Sequence, residues 1–162
     1  MSEAEFRQQM IELTAKVAGR ALDSELQNWL NDEMGSNSDD FRRLQESCRQ
    51  GVAEGWLCQR EAGGIRYGRV FRPDDELRGF SVDVVDMDDC VGPHHSHPQG
   101  EIDLVMPLEG DALFDDHAAG WVVYPPGSAH YPTVSNGRAL VLYLLPGGSI
   151  EFTPEARETE KT

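Results

Sequence analysis

All five histidines of this 162-residue chain, His94, His95, His97, His117 and His130, crowd into one short stretch. Imidazole is the commonest protein ligand for divalent transition metals and titrates near neutral pH, so the spacing of these residues bears directly on chemistry. His95 and His97 stand two apart, and Glu101 follows four further on. In an extended segment these three share parity and face one side, where two imidazoles and a carboxylate can meet one cation. His94 has the opposite parity and is disfavoured as a partner of His97 in the same site. The run Pro125-Pro126-Gly127-Ser128-Ala129-His130 supplies the other half. Two prolines and a glycine force a turn, and the residues after it can bring a further imidazole back across. His95, His97, Glu101 and His130 together suit Fe(II), Mn(II), Ni(II) or Zn(II), with coordination positions left for water or substrate. Taken alone, the run 94–97 fits a polar surface loop as well as a ligand set.

Composition removes several other chemistries. Lys and Arg number 14 against 29 Asp and Glu, a formal net charge of −15. Such a chain repels polyanions, so neither nucleic acid nor an anionic membrane surface is an expected partner. Only Lys16 and Lys161 are lysines, and both sit near the chain ends. That leaves no central lysine for a Schiff base or a Walker-type phosphate loop. Cys48, Cys58 and Cys90 are odd in number and form no Cys-x-x-Cys pair. They read as free thiols in a reducing compartment, not as a zinc ribbon. The longest apolar runs, such as 139–145, are too short for a bilayer, and the opening Ser2-Glu3-Ala4-Glu5 is acidic where a signal peptide is basic. A cytoplasmic location is the expectation.

Positioning the candidate ligands falls to elements that the apolar spacing marks out. Ser2-x-x-Glu5 is a capping box, and Phe6, Met10, Leu13 and Val17 behind it form one stripe of an amphipathic helix. Ser24-x-x-Gln27 opens a second helix through Leu26, Trp29 and Leu30, with Gly35 as its stop. Asn37 or Ser38 caps a third, which carries Phe41, Leu44 and Cys48 on one face and stops at Gly51 or Gly55. From Trp56 the period changes to short apolar runs between Gly, Pro and Asp clusters: 56–60, 65–72, 80–87, 101–107, 112–114, 121–124 and 139–145. Runs at this spacing predict a mainly β chain, an antiparallel barrel or sandwich of seven or eight strands. The division expected is a helical segment over 1–55, packed on the barrel or forming a dimer interface, a barrel over 56–153, and a flexible acidic tail over 154–162.

The ligand spacing also sits in a wider pattern. His95-x-His97-xxx-Glu101 with Gly110, then Gly120-xxxx-Pro125-x-Gly127-xx-His130 with Asn136, closely resembles the two motifs of the cupin superfamily. That resemblance implies a small antiparallel jelly-roll barrel whose three His and one Glu hold a metal, here His95, His97, Glu101 and His130. At finer grain, the block 92–101 (GPHHSHPQGE) with the block 121–130 (WVVYPPGSAH), the acidic length and the helical first third are similar to the bacterial 4-hydroxylaminobenzoate lyase family. The resemblance implies conversion of 4-hydroxylaminobenzoate to 3,4-dihydroxybenzoate and ammonia in nitroaromatic breakdown. That reaction balances with water alone, so neither dioxygen nor a nicotinamide is consumed. Glu101 would be either a fourth ligand or, if three His suffice, the acid/base group.

A benzoate needs a cation held against the net charge. Ile65, Tyr67, Arg69 and Phe71 share one strand face, so Arg69 is the expected carboxylate anchor, with Tyr67 beside it and Arg66 and Arg72 facing the other way. A salt-bridged surface role fits any one of the twelve Arg as well. Tyr131 and Tyr124 flank the second motif, where they either reach the pocket or simply pack. The partner expected is a small aromatic carboxylate, with a homo-oligomer possible. Two other classes use the same barrel: an Fe(II)-dependent dioxygenase acting on a small aromatic or thiol substrate, and a non-catalytic cupin that binds a small molecule.

Overall fold

Ser2 accepts a hydrogen bond from the Glu5 backbone N–H and the Glu5 carboxylate accepts one from the Ser2 N–H, so α1 (Glu3–Val17) starts on the expected capping box. In this computed structural model residues 2–153 are described, and the acidic tail expected over 154–162 lies outside the described residues. Phe6, Met10, Leu13 and Val17 form the buried stripe of α1. α2 (Ser24–Met34) is capped one residue earlier than the capping-box reading, by Asp23, whose carboxylate accepts from the Leu26 N–H. A full negative charge at the positive end of the helix dipole makes Asp the better cap. α3 (Asp39–Glu54) is capped by Ser38 and ends at Gly55 in the left-handed region, while Gly51 is interior and buried.

The run 56–60 does not form a strand. The N–H groups of Gly55, Trp56 and Leu57 all return to the Gly51 carbonyl, so the end of α3 consumes the donors a strand there would need. Pairing begins at β1 (Arg60–Ala62) and continues through β2 (Ile65–Phe71), β3 (Phe80–Val91), β4 (His95–His97), β5 (Glu101–Phe114), β6 (Gly120–Tyr124), β7 (Ser128–His130), β8 (Thr133–Pro146) and β9 (Glu151–Phe152). The runs 101–107 and 112–114 are one long strand, interrupted by register shifts near Pro107 and Gly110. Two antiparallel sheets result, of order β1-β2-β3-β8-β5-β6 and β7-β4-β9.

The larger sheet is covered on both faces, which is why β5 and β8 carry near-continuous apolar runs. On one face Val82, Val84, Ile102, Leu104, Met106, Leu140, Leu142 and Leu144 pack with the stripes of the three helices. On the other, Val85, Met87, Val105, Val122, Val141 and Tyr143 form a second core with Phe114 and Val134. β6 would be an open edge, but α2 closes it with side-chain amides. Asn31 both accepts from the Trp121 N–H (2.7 Å) and donates to its carbonyl (2.9 Å), and Gln27 accepts from the Val123 N–H. Gly120 permits this approach, since a Cβ there would lie 2.7 Å from the Asn31 side-chain oxygen. Among the described residues no helix is long and apolar enough to cross a membrane.

Candidate metal centre

The small sheet brings two of the three imidazole-bearing segments side by side. β4 pairs with β7 so that His95 lies opposite His130 and His97 opposite Ser128. Alternation along β4 turns His95 and His97 to one side, as expected. Glu101 reaches them differently from the parity argument, because the chain turns at 98–100 and Gly100 takes a φ of 88°. Glu101 therefore enters from the first position of β5, in the other sheet. The site lies between the two sheets, and Glu101 and His97 have no exposed surface.

Each imidazole is tied on its outer nitrogen. His95 Nδ1 donates to the Pro93 carbonyl at 3.2 Å. His97 Nδ1 lies 3.0 Å from Ser128 Oγ, whose own hydroxyl donates to the Pro125 carbonyl, so the histidine is the donor. His130 Nδ1 donates to the Asp115 carboxylate. With all three protons placed on Nδ1, the three Nε2 lone pairs turn inward. His130 Nε2 lies 3.2 Å from His95 Nε2, and Glu101 Oε2 lies 3.1 Å from His97 Nε2 and 3.9 Å from His130 Nε2. Four donor atoms, one from each residue, fall within 4.8 Å of one another.

This convergence is costly without a cation. His97 Nε2 and both oxygens of Glu101 are buried with no hydrogen-bond partner among the described residues, although burial of an unpaired acceptor costs about 1–3 kcal/mol. Three neutral imidazole nitrogens and a carboxylate are what a divalent first-row metal takes, so the residues present fit such an ion. Burial lowers His95 to about 4, with the Glu101 charge working the other way, so its lone pair is free at neutral pH. Burial opposes ionisation of Glu101 at the first position of β5, and a cation at the cluster would offset that cost. Asp103 lies two positions along the same strand face and is pushed well up by burial and by the charge of Glu101.

A cavity of about 810 Å³ reaches His95 from outside, lined by Tyr67, Arg69, Asp83, Tyr143 and Phe152 among others. Tyr67 and Arg69 share this wall as the strand alternation requires. Phe71 does not, because a register shift between Arg69 and Phe71 turns it into the helical core, where it stacks on Phe6. The same irregularity accounts for Arg72, expected on the opposite face, lining the cavity. Arg69 is already paired: Nε and Nη2 donate to Asp83 at 2.8 and 3.2 Å, and Nη2 also donates to the Gly148 carbonyl. Tyr131 lies beside His94, with ring centroids 4.7 Å apart, and is not among the lining residues of the cavity. Tyr124 packs against His130 and donates its hydroxyl to Asp115. His117 is exposed, pairs with Phe114 and is not one of the clustered donors.

Asp83, Asp103, Asp115 and Ser128 were not singled out by spacing. Asp103 left a signal, since Glu101 and Asp103 alternate with Ile102 and Leu104 at the start of β5 and are the acidic positions of its otherwise apolar stretch 101–108. Asp115 left none: it follows Phe114 in an Asp-Asp-His turn that reads as a solvated loop.

Antiparallel sheets enclosing a His₃Glu cluster, with helices on the outer face, define a cupin-type barrel suited to a divalent metal. The chain belongs to the 4-hydroxylaminobenzoate lyase family (PnbB), whose family model matches residues 8–152. It is 33% identical to the 4-hydroxylaminobenzoate lyase of Pseudomonas putida, over 91% of this chain and 93% of that one. It is 36% identical to the 4-hydroxylaminobenzoate lyase of Nocardioides sp. (strain LMS-CY), over 87% of this chain and 90% of that one. Among solved structures, the DMSP lyase DddQ of Ruegeria pomeroyi superposes with a TM-score of 0.54 at 14% identity, covering 94% and 98% of the two chains, a likeness of fold.

Proposed function

We propose that this chain is a metal-dependent lyase that converts 4-hydroxylaminobenzoate and water to 3,4-dihydroxybenzoate and ammonia. The observation that carries the metal part is the outward tether on every imidazole Nδ1, which leaves three Nε2 atoms and the Glu101 carboxylate converging. Membership of the family supports the substrate. His95, His97, His130 and Glu101 would hold one divalent transition metal per chain; when bound, it supplies Lewis acidity toward the departing hydroxyl and lowers the pKa of water. Its identity among Fe(II), Mn(II), Ni(II) and Zn(II) is a matter for metal analysis of the purified protein.

The protein's own groups divide the remaining work. The cavity would take the ring and lead it to His95. Arg69 and Tyr67 on the cavity wall receive the carboxylate end, Arg69 through Nη1, which makes no hydrogen bond among the described residues. Tyr131, which packs on His94 and does not line the cavity, would meet the substrate only outside it. Glu101 has two oxygens without protein donors, so one can serve as a ligand while the other takes the proton of the attacking water. Residues 1–55 and 56–153 act as one folding unit in this reading, and free cysteines support a reducing, cytoplasmic setting.

Turnover under strict exclusion of oxygen tests the reaction. Stoichiometric ammonia and 3,4-dihydroxybenzoate should form, with oxygen from labelled water in the product. Incorporation from labelled dioxygen would instead make the same donors an oxygen-activating iron site, and no product in air or without it would leave a binding protein.

A further inference from the structure

His95 and His97 are tethered by neutral groups, a carbonyl and a hydroxyl, but His130 is tethered by a carboxylate. Asp115 sits just after β5 with a φ of 48°, a left-handed conformation that Asp tolerates better than most side chains. Both of its oxygens are committed. Oδ1 accepts from the Thr133 backbone N–H at 2.9 Å, and Oδ2 accepts from both His130 Nδ1 and the Tyr124 hydroxyl. The carboxylate is thus anchored to the start of β8 and to the end of β6, and cannot follow the imidazole if it rotates. Tyr124 and Phe114 flank the His130 ring, with centroids 4.6 and 6.0 Å away.

We propose that Asp115 is a positioning residue of the metal centre, fixing the His130 imidazole in the Nδ1–H tautomer and aiming Nε2 at the other donors. The role rests on the metal-centre reading above. A carboxylate on the outer nitrogen of a ligating imidazole sets its tautomer and ring orientation and raises its basicity. His130 needs this more than its neighbours do. It sits at the end of β7, a three-residue strand paired among the described residues to β4 alone, whereas β4 is held on both sides by β7 and β9. Nothing in the backbone pairing fixes the ring, and the ring must present Nε2 within 3.2 Å of His95 Nε2.

Zn(II) alone is the probe, since it binds nitrogen and oxygen sites of this kind tightly whatever metal the cell supplies. Its affinity is measured by competition with a chromogenic chelator for the wild type and for Asp115→Ala, Asp115→Asn, His130→Ala and His117→Ala. Asp115→Ala should weaken Zn(II) by roughly ten- to a hundredfold, in the range found for lost outer-sphere partners. Asp115→Asn keeps the shape but not the charge and should fall between Asp115→Ala and the wild type. His117→Ala should bind as the wild type does. Nitrogen-15 NMR of the metal-free protein supplies a readout that a merely structural role would not move. His130 should show a protonated Nδ1 and a bare Nε2 in the wild type, and a mixture of tautomers in Asp115→Ala, with His95 and His97 unchanged. Wild-type affinity in Asp115→Ala together with loss in His130→Ala would overturn the proposal and leave the metal centre standing. Wild-type affinity in His130→Ala would overturn both, and anaerobic product formation reports on the lyase reading separately.

Discussion

Arg69 shows how a residue can be found by its type and placed by its strand, yet acquire its meaning from a partner that spacing does not reveal. The guanidinium lies on the cavity wall, but its fork is closed on Asp83, which burial pushes above the ordinary carboxyl range and Arg69 pulls back. A bound benzoate would therefore meet a guanidinium already held in one orientation by Asp83, a second anion that limits its net attraction. Arg69→Ala should raise KM roughly ten- to a hundredfold with a smaller change in kcat, since a charged hydrogen bond contributes about 1.5–3 kcal/mol. Arg66, which faces Asp86 on the other side of the sheet, provides the control: Arg66→Ala should leave KM unchanged. If instead Arg69→Ala lowers kcat with KM intact, the carboxylate is bound elsewhere and Arg72 is the next candidate on the same wall.

At the scale of elements, the helical third is joined to the barrel most specifically through the α2–β6 contact. Asn31→Ala removes both hydrogen bonds to Trp121 and leaves a strand edge partly buried with unpaired groups, so stability should fall by about 1–3 kcal/mol. Urea unfolding of the metal-free protein measures this, and an unchanged midpoint would mean that water replaces the amide without cost. Zn(II) affinity should not change, since Asn31 touches none of the cluster. Such contacts lie at the limit of what a sequence discloses. The helices were legible because capping residues and four-three spacing are local, and Ser38, Gly55 and the Phe6 stripe appear where local rules put them. The His₃Glu set was legible because the motif spacing encodes a strand, a turn and a returning strand. The run 56–60 was misread because its donors return to Gly51, a helix-end bond that apolar periodicity does not register. The turn of Phe71 into the helical core depends on a bulge against β3, and the Asp115 tether depends on where β6, β7 and β8 meet. Both arise from pairing between distant segments.

Over the whole molecule, charge sets a conflict with the proposed substrate. The chain carries a formal −15, and 4-hydroxylaminobenzoate is an anion at neutral pH, so the long-range field repels what the cavity is to bind. Close to the cavity the sign is different, because Arg60, Arg69 and Arg72 all contribute to its lining, with Asp83 the acidic group among them. Range separates the two contributions. At about 10 mM ionic strength the screening length is roughly 30 Å and the whole charge acts on an approaching anion, whereas at about 100 mM it is roughly 10 Å and the arginines at the cavity dominate. Added salt should therefore raise kcat/KM for 4-hydroxylaminobenzoate over this interval, the reverse of the usual loss for an enzyme that steers its substrate. Phenylhydroxylamine, which has the reacting group without the carboxylate, is uncharged and should show no such rise in binding. Arg69→Ala should steepen the dependence, because it removes a local cation and leaves the distant anions in place. A kcat/KM that falls with salt would show that the arginines already outweigh the rest of the molecule at low ionic strength, and the acidic surface would then play no part in substrate entry.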